Sequence, residues 1–432
     1  MLNHMLTLNE NSRFDSAVAK IIMAFYLAGI ICIGINPNYT NKIINIAGAV
    51  SFVMLAIGYR KLPAIDRNVF ILAIPLLLLG GIDLIWYGLY KNPDVLYKNG
   101  YRGYLEAGKM LIAAAFTVIY FSRVRHVVYK YEFLIAAIIA QAIILGRSFY
   151  QGIYLGAERI SVSAMGGNIG QMGAATIAAY MLTFCSLFAS IVFLKSEVKY
   201  RWILFYANFI LTLSAVVMTG TRSAIVTYPL MIILLIIIEH RQHKKRMLKI
   251  TSSIAGLLIL CGIAFHDNVD ERVNAMTQDI TQYQKNNSDT SVGARLSMMQ
   301  AGFNSSPVTG WQSLEVRGDK VIALDKQDAI YAGAVRFLNV HMHNEIAEAY
   351  SIRGISGVAL IFALYLGMAL YCLKSKNYGL LVFPLAIFLF GLSDVVTHAK
   401  PIPASWIVSL LLAVILCNES ARNTGSRRPT ES

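Results

Sequence analysis

Apolar runs of about twenty residues alternate with short polar links along this chain, as helices crossing a hydrocarbon core of roughly 30 Å require. Twelve such runs fall near residues 17–35, 43–59, 69–90, 105–121, 131–146, 170–194, 202–218, 223–238, 250–265, 354–373, 379–393 and 403–417. The alternation is broken once, by a polar stretch of nearly ninety residues between Phe265 and Gly354. The ten-residue alternating pattern of a membrane β-barrel is absent. The pattern predicts an all-α polytopic membrane protein with about 12 transmembrane helices and one long, partly helical loop. Its expected divisions are a membrane region over 1–265, the loop over 266–353, and a second membrane region with a tail over 354–432. Ser214–Tyr228 reads either as one broken helix or as the ends of two spans.

Inside the loop, periodicity predicts helices over Asp267–Tyr283 and Val292–Phe303, an irregular bridge over Gln284–Ser291, and an amphipathic helix over Val321–Leu338. The face Met298, Met299, Phe303 is suited to lie on a bilayer and to present Arg295 along it. A short helix over Asn344–Tyr350, with His343 at its start, is expected to end before Gly354-Ile355-Ser356-Gly357.

Composition agrees with the pattern: 56% of residues are hydrophobic, only 14% are charged, and mean hydropathy is +0.55. A net charge of +14 would suggest a nucleic-acid partner if it formed one patch. Instead the basic residues recur at every second link, which is a topology signal and argues against nucleic acid. One set of links and the C-terminal tail hold nineteen Lys and Arg, the alternate links eight. Basic links stay cytoplasmic, so the long loop is expected on the outer, periplasmic face. Cys32, Cys185, Cys261, Cys372 and Cys417 fall within or at the edge of apolar runs and read as small buried hydrophobes. The first span carries no small-residue cleavage site and reads as a retained helix.

Basic residues on the outer side need another explanation. Arg222, in Thr219-Gly220-Thr221-Arg222-Ser223, is pinned between two spans. It is either a bidentate phosphate ligand or a snorkelling anchor. Arg159 begins a link rich in glycine, through Gly166-Gly167-Asn168-Ile169-Gly170-Gln171-Met172-Gly173, that reads as a flexible connection with a ligand role for Arg159 left open. Arg295 is either solvated or a ligand. The loop ends in His341-Met342-His343-Asn344-Glu345. Two residues apart, the histidines are expected to diverge, to opposite sides of an extended segment or by about 200° on a helix, and not to chelate one metal as a pair. His343 precedes a helix whose dipole favours the neutral, proton-accepting imidazole, which suits a general base; a cap of that helix is the other reading. Glu345 and Glu348 read as polar-face residues, with Asp394 a further carboxylate nearby.

Together these features resemble the O-antigen ligases, within the wider superfamily of O-antigen ligases and polymerases. The resemblance is carried by His343-Asn344 with Gly354 and Gly357 beyond, by Thr221-Arg222-Ser223-Ala224, by Gly293-Ala294-Arg295 followed by Pro307-Val308-Thr309-Gly310-Trp311, and by the layout of spans around one loop. It implies a bacterial inner-membrane glycosyltransferase acting on the periplasmic face in lipopolysaccharide biosynthesis. The implied donor is a glycan on undecaprenyl pyrophosphate and the implied acceptor a sugar hydroxyl of lipid A–core, with membrane lipids around both. No cofactor and no metal are implied. By this resemblance His343, Arg222 and Arg295 are the catalytic candidates, while Arg159, His341, Thr221 and Asn344 are candidates for binding substrate. An alternative alignment exchanges His341 and His343. An O-antigen polymerase and a protein O-oligosaccharyltransferase are the neighbouring readings. A lipid-linked glycan flippase is the reading from a different class, against which stands the lack of an internal repeat.

Overall fold

A computed structural model of the chain describes residues 2–58, 66–124, 130–162, 174–264, 266–339, 341–398 and 401–425. Among these residues every regular element is helical. The helices are α1 (Leu2–Ile35), α2 (Pro37–Ile57), α3 (Arg67–Tyr90), α4 (Lys98–Arg123), α5 (Lys130–Phe149), α6 (Ala174–Lys195), α7 (Arg201–Met218) and α8 (Arg222–His240). They continue as α9 (Lys244–Ala264), α10 (His266–Gln284), α11 (Ser291–Asn304), α12 (Leu314–Gln327), α13 (Ala332–Arg336), α14 (Glu345–Lys374), α15 (Val382–Gly391) and α16 (Pro401–Gly425).

Ten of the described helices are long and apolar enough to cross a membrane. The other two expected spans correspond to α9 and to a shorter apolar helical stretch, Tyr378–Gly391. The stretch Ser214–Tyr228 is two helices, α7 ending at Met218 and α8 starting at Arg222. Polar side chains placed where backbone donors are unsatisfied begin several elements: Asn36 before α2, Asp66 before α3, Thr290 before α11, Ser313 before α12 and Asn344 before α14.

Helices α6 and α16 form the centre. In each, 89% of the most apolar window is buried, against 67% or less in every other span. The α3–α4 crossing is close because glycines face each other: a Cβ on Gly80 would lie 2.7 Å from the Gly108 carbonyl oxygen. Where α6, α7 and α8 meet, the Asn208 amide nitrogen donates to the Ser186 and Ser190 hydroxyls, and Tyr228 bonds Ser186, so these groups find partners across the bundle.

The loop has its own core of Ala294, Met298, Ala301, Val321, Tyr331, Ala334, Met342 and Ala347. Met298 is therefore packed against neighbouring loop helices and α14, which corrects the expectation that its face lies on the bilayer; Phe303 stays exposed. The single helix expected over Val321–Leu338 is also corrected. Asp328, extended, ends α12 and caps a short 3-10 turn, Ala329–Tyr331, that leads into α13. An aromatic cluster of Trp86, Tyr101 and Tyr104 with Leu314 and Ile352 docks α12 on α3, α4 and α14. The Trp86 indole donates to the Gln312 carbonyl at 2.9 Å.

Gly354 divides α14. Its φ of +54° and ψ of −146° are open only to glycine, and a Cβ there would fall 2.1 Å from the Val308 carbonyl oxygen. The segment Glu345–Arg353 is thereby a separate short helix, ending where the sequence pattern placed its end. The Tyr378–Gly391 helix is followed by an irregular, mostly buried stretch, 392–398. Such backbone is tolerated at membrane depth when protein covers it. It brings Asp394 beneath the start of α14.

Candidate active site

The segment entering α14 alternates. The Met342 side chain is buried in the loop core and its amide donates to Glu348 at 2.8 Å, so His341 and His343 project together on the other side. Their rings meet edge to face with centroids 4.6 Å apart. This corrects the expectation that they diverge: the segment is not helical, and residues i and i+2 of extended chain share a face. His343 has a φ of +47°, a left-handed conformation costly for a side-chain-bearing residue, and it turns the chain into the Asn344 cap.

Asp394 receives both imidazoles. Its Oδ1 lies 3.1 Å from His343 Nδ1 and 3.5 Å from His341 Nδ1, the second too long for a firm hydrogen bond. Burial alone would raise the Asp394 carboxyl, but the two histidines and the Val395 amide hold it well below the usual carboxylate range. His341 is pushed below the usual imidazole range by burial, which outweighs the attraction of Asp394. With Asp394 ionised, His343 Nδ1–H donates to it and Nε2 is the ring atom left to accept a proton. The ligand atoms of His341, His343 and Asp394 lie within 4.8 Å of one another, a donor set that an ion such as zinc would accept.

Tyr180, from the buried α6, links this dyad to the arginines. Its hydroxyl is 3.2 Å from Ser393 Oγ, next to Asp394, and 3.2 Å from Ser223 Oγ, next to Arg222. Arg295 is near enough for its charge to act on the same hydroxyl. Arg159 donates through Nε to the Thr219 carbonyl at 2.8 Å, which anchors it to the link that carries Arg222. Thr221 precedes α8 with a buried hydroxyl that has no hydrogen-bond partner among the described residues. The Asn344 amide is engaged at both ends, accepting from the Ala347 amide and donating to the Leu392 carbonyl, each at 2.9 Å. The glycine stretch 166–173 lies outside the described residues.

Glu345 and Glu348 are not on a polar face, which corrects that expectation: both are buried. Glu345 accepts from the Val396 and Thr397 amides and the Thr397 hydroxyl, clamping the Asp394 segment to α14. Glu348 accepts from Tyr104 at 2.6 Å and from Arg317 at 2.9 Å. Behind them Asp83 pairs with Arg353 and, at 2.9 Å, with His398. Burial lowers His398, yet Asp83 and Glu345 raise it more strongly, to about 9, so it is an imidazolium. Sequence reasoning missed Tyr180, Arg317 and Arg353. Asp83 carried a readable signal, a carboxylate inside an apolar run.

Against known proteins, a family model described as O-antigen ligase matches residues 207–362, the stretch that contains Arg222, Arg295, His341 and His343. The O-antigen ligase of Escherichia coli (strain K12) is 28% identical over 393 residues, covering 89% of this chain and 90% of that protein. An uncharacterized protein of Haemophilus influenzae (strain ATCC 51907 / DSM 11121 / KW20 / Rd) is 23% identical over 324 residues, covering 73% of this chain and 77% of its own length.

Proposed function

Because the chain belongs to the O-antigen ligase family, we propose that it moves O-antigen polysaccharide from undecaprenyl pyrophosphate to a sugar hydroxyl of lipid A–core, at the periplasmic face of the bacterial inner membrane. The observation that carries this reading is the His343–Asp394 pair, joined through Ser393, Tyr180 and Ser223 to the helix end bearing Arg222. A proton acceptor and fixed positive charge are what the transfer needs.

The acceptor oxygen attacks the anomeric carbon as the bond from that carbon to the pyrophosphate oxygen breaks, and a single displacement inverts the centre. The hydroxyl proton passes to His343 Nε2, while Asp394 holds the ring and stabilises the imidazolium, a general-base contribution of about 10²–10⁴-fold. Undecaprenyl pyrophosphate leaves with growing negative charge. Arg222, Arg295 and Arg159 meet that charge, and the Thr221 hydroxyl donates to it; interactions that strengthen as the charge develops lower the barrier. Asn344 positions the base instead of touching substrate. Arginine and imidazole supply the charge and proton chemistry, so no metal is required.

The test is transfer in detergent of a labelled glycan from undecaprenyl pyrophosphate, with and without purified lipid A–core. Label moving to lipid A–core only when it is present is the expected result. Label that lengthens on undecaprenyl without acceptor would instead identify a polymerase.

A further inference from the structure

A cavity of about 280 Å³ is lined by His341 but not by His343 or Asp394. Its polar walls are Asn99 and Arg102 from the first turns of α4, Asn339 and His341 from the segment before α14, and Tyr104 and Glu348 deeper in. Its charges do not cancel. Glu348 is paired with Arg317, and His398, also in the wall, sits in a buried set with Arg353 in which Asp83 and Glu345 balance two positive charges with two negative ones. Arg102 is left over. It is exposed and makes no hydrogen bond or ion pair among the described residues; the side chains of Asn99 and Asn339 likewise have no protein partner there. A guanidinium and two amides thus face one small space with their hydrogen-bonding capacity unused. Arg222, Arg295 and Arg159 do not line it.

We propose that this cavity is the acceptor subsite, and that Arg102 pairs in it with an anionic substituent, a phosphate or a carboxylate, on the acceptor saccharide. The inference rests on the glycosyl-transfer reading above, in which the donor pyrophosphate occupies the other arginines and His341 stands between the two places. A planar guanidinium binds either anion through two parallel hydrogen bonds. Held at that substituent, the saccharide presents a nearby hydroxyl to His343. Asn99 and Asn339 bond the neutral hydroxyls, and the size of the space limits the subsite to a small part of the acceptor.

Steady-state transfer measured for the wild type and Arg102→Gln tests this, using lipid A–core either intact or stripped of charge by phosphatase and carboxyl amidation. With intact acceptor, Arg102→Gln is expected to raise the acceptor KM roughly ten- to hundredfold, leaving kcat and the donor KM unchanged. Stripping the acceptor should cost the wild type a similar factor and the variant nothing more, and Arg102→Lys should recover part of the loss. A rise in donor KM would assign Arg102 to the pyrophosphate and overturn the proposal. So would equal losses on both acceptors, or no loss on either. These outcomes leave the transferase reading standing, whereas a wild type that transfers to no saccharide acceptor removes both.

Discussion

Whether Arg222 acts through charge or through shape is measurable. Arg222→Lys keeps the charge and loses the two-pronged donor, and where bidentate contact to phosphate is the function this exchange is not conservative. A fall in kcat/KM of about 10²-fold or more is expected in the detergent assay, with membrane insertion unchanged. Activity equal to wild type would mean that Arg222 only anchors the end of α8. At this scale His343 and Arg222 stood out in the sequence as candidates, because each is a residue type out of pattern: a basic residue in the less basic set of links, an imidazole where the polar loop gives way to an apolar run. Asp394 and Tyr180 were visible only as a nearby carboxylate and one tyrosine among 23. Their roles depend on contacts across 51, 43 and 213 positions, which no local pattern encodes.

At the scale of elements, the N-terminal part of α14 presents the site and Gly354 sets its angle. Gly354→Ala places a methyl against the Val308 carbonyl in a backbone conformation closed to alanine. Loss of more than about 2 kcal/mol is expected, read as a lowered thermal midpoint in detergent; an unchanged midpoint would show that the two halves of α14 reorient freely. The segment 392–398 is held against α14 by Glu345 and by the His398–Asp83 pair. His398 is raised to about 9 in the folded protein, above the ordinary imidazole value near 6.5, so its stabilisation is complete below pH ~6.5 and is lost as pH rises through about 9. On the order of 3 kcal/mol is involved. The wild type should lose thermal stability across that window, and His398→Gln should flatten the slope; an identical slope in the variant would place the titrating group elsewhere. The helical periodicity of the spans and of α11 was legible in the sequence. The break at Asp328 and the inward turn of Met298 were not, because both are settled by packing among loop helices that the chain assembles only in three dimensions.

For the whole molecule, the span pattern determined the all-α membrane architecture, since satisfying the backbone in lipid leaves few alternatives. The buried set Asp83, Arg353, His398 and Glu345, drawn from three separated stretches, ties the first half of the bundle to the last. Because His341, His343 and Asp394 form a donor set, metal dependence is a question for the assembled protein. Transfer is expected to survive saturating chelator; loss that a divalent ion reverses would make the triad a metal centre and remove His343 as the base.

The most direct measurement of the central claim is a double-mutant cycle in kcat/KM over His343→Ala and Asp394→Asn. If Asp394 acts through the imidazole, His343→Ala costs about 10²–10⁴-fold, Asp394→Asn costs part of that, and the double variant is no slower than His343→Ala alone. Losses that multiply would mean that the two residues act independently, and the His343–Asp394 base would have to be abandoned.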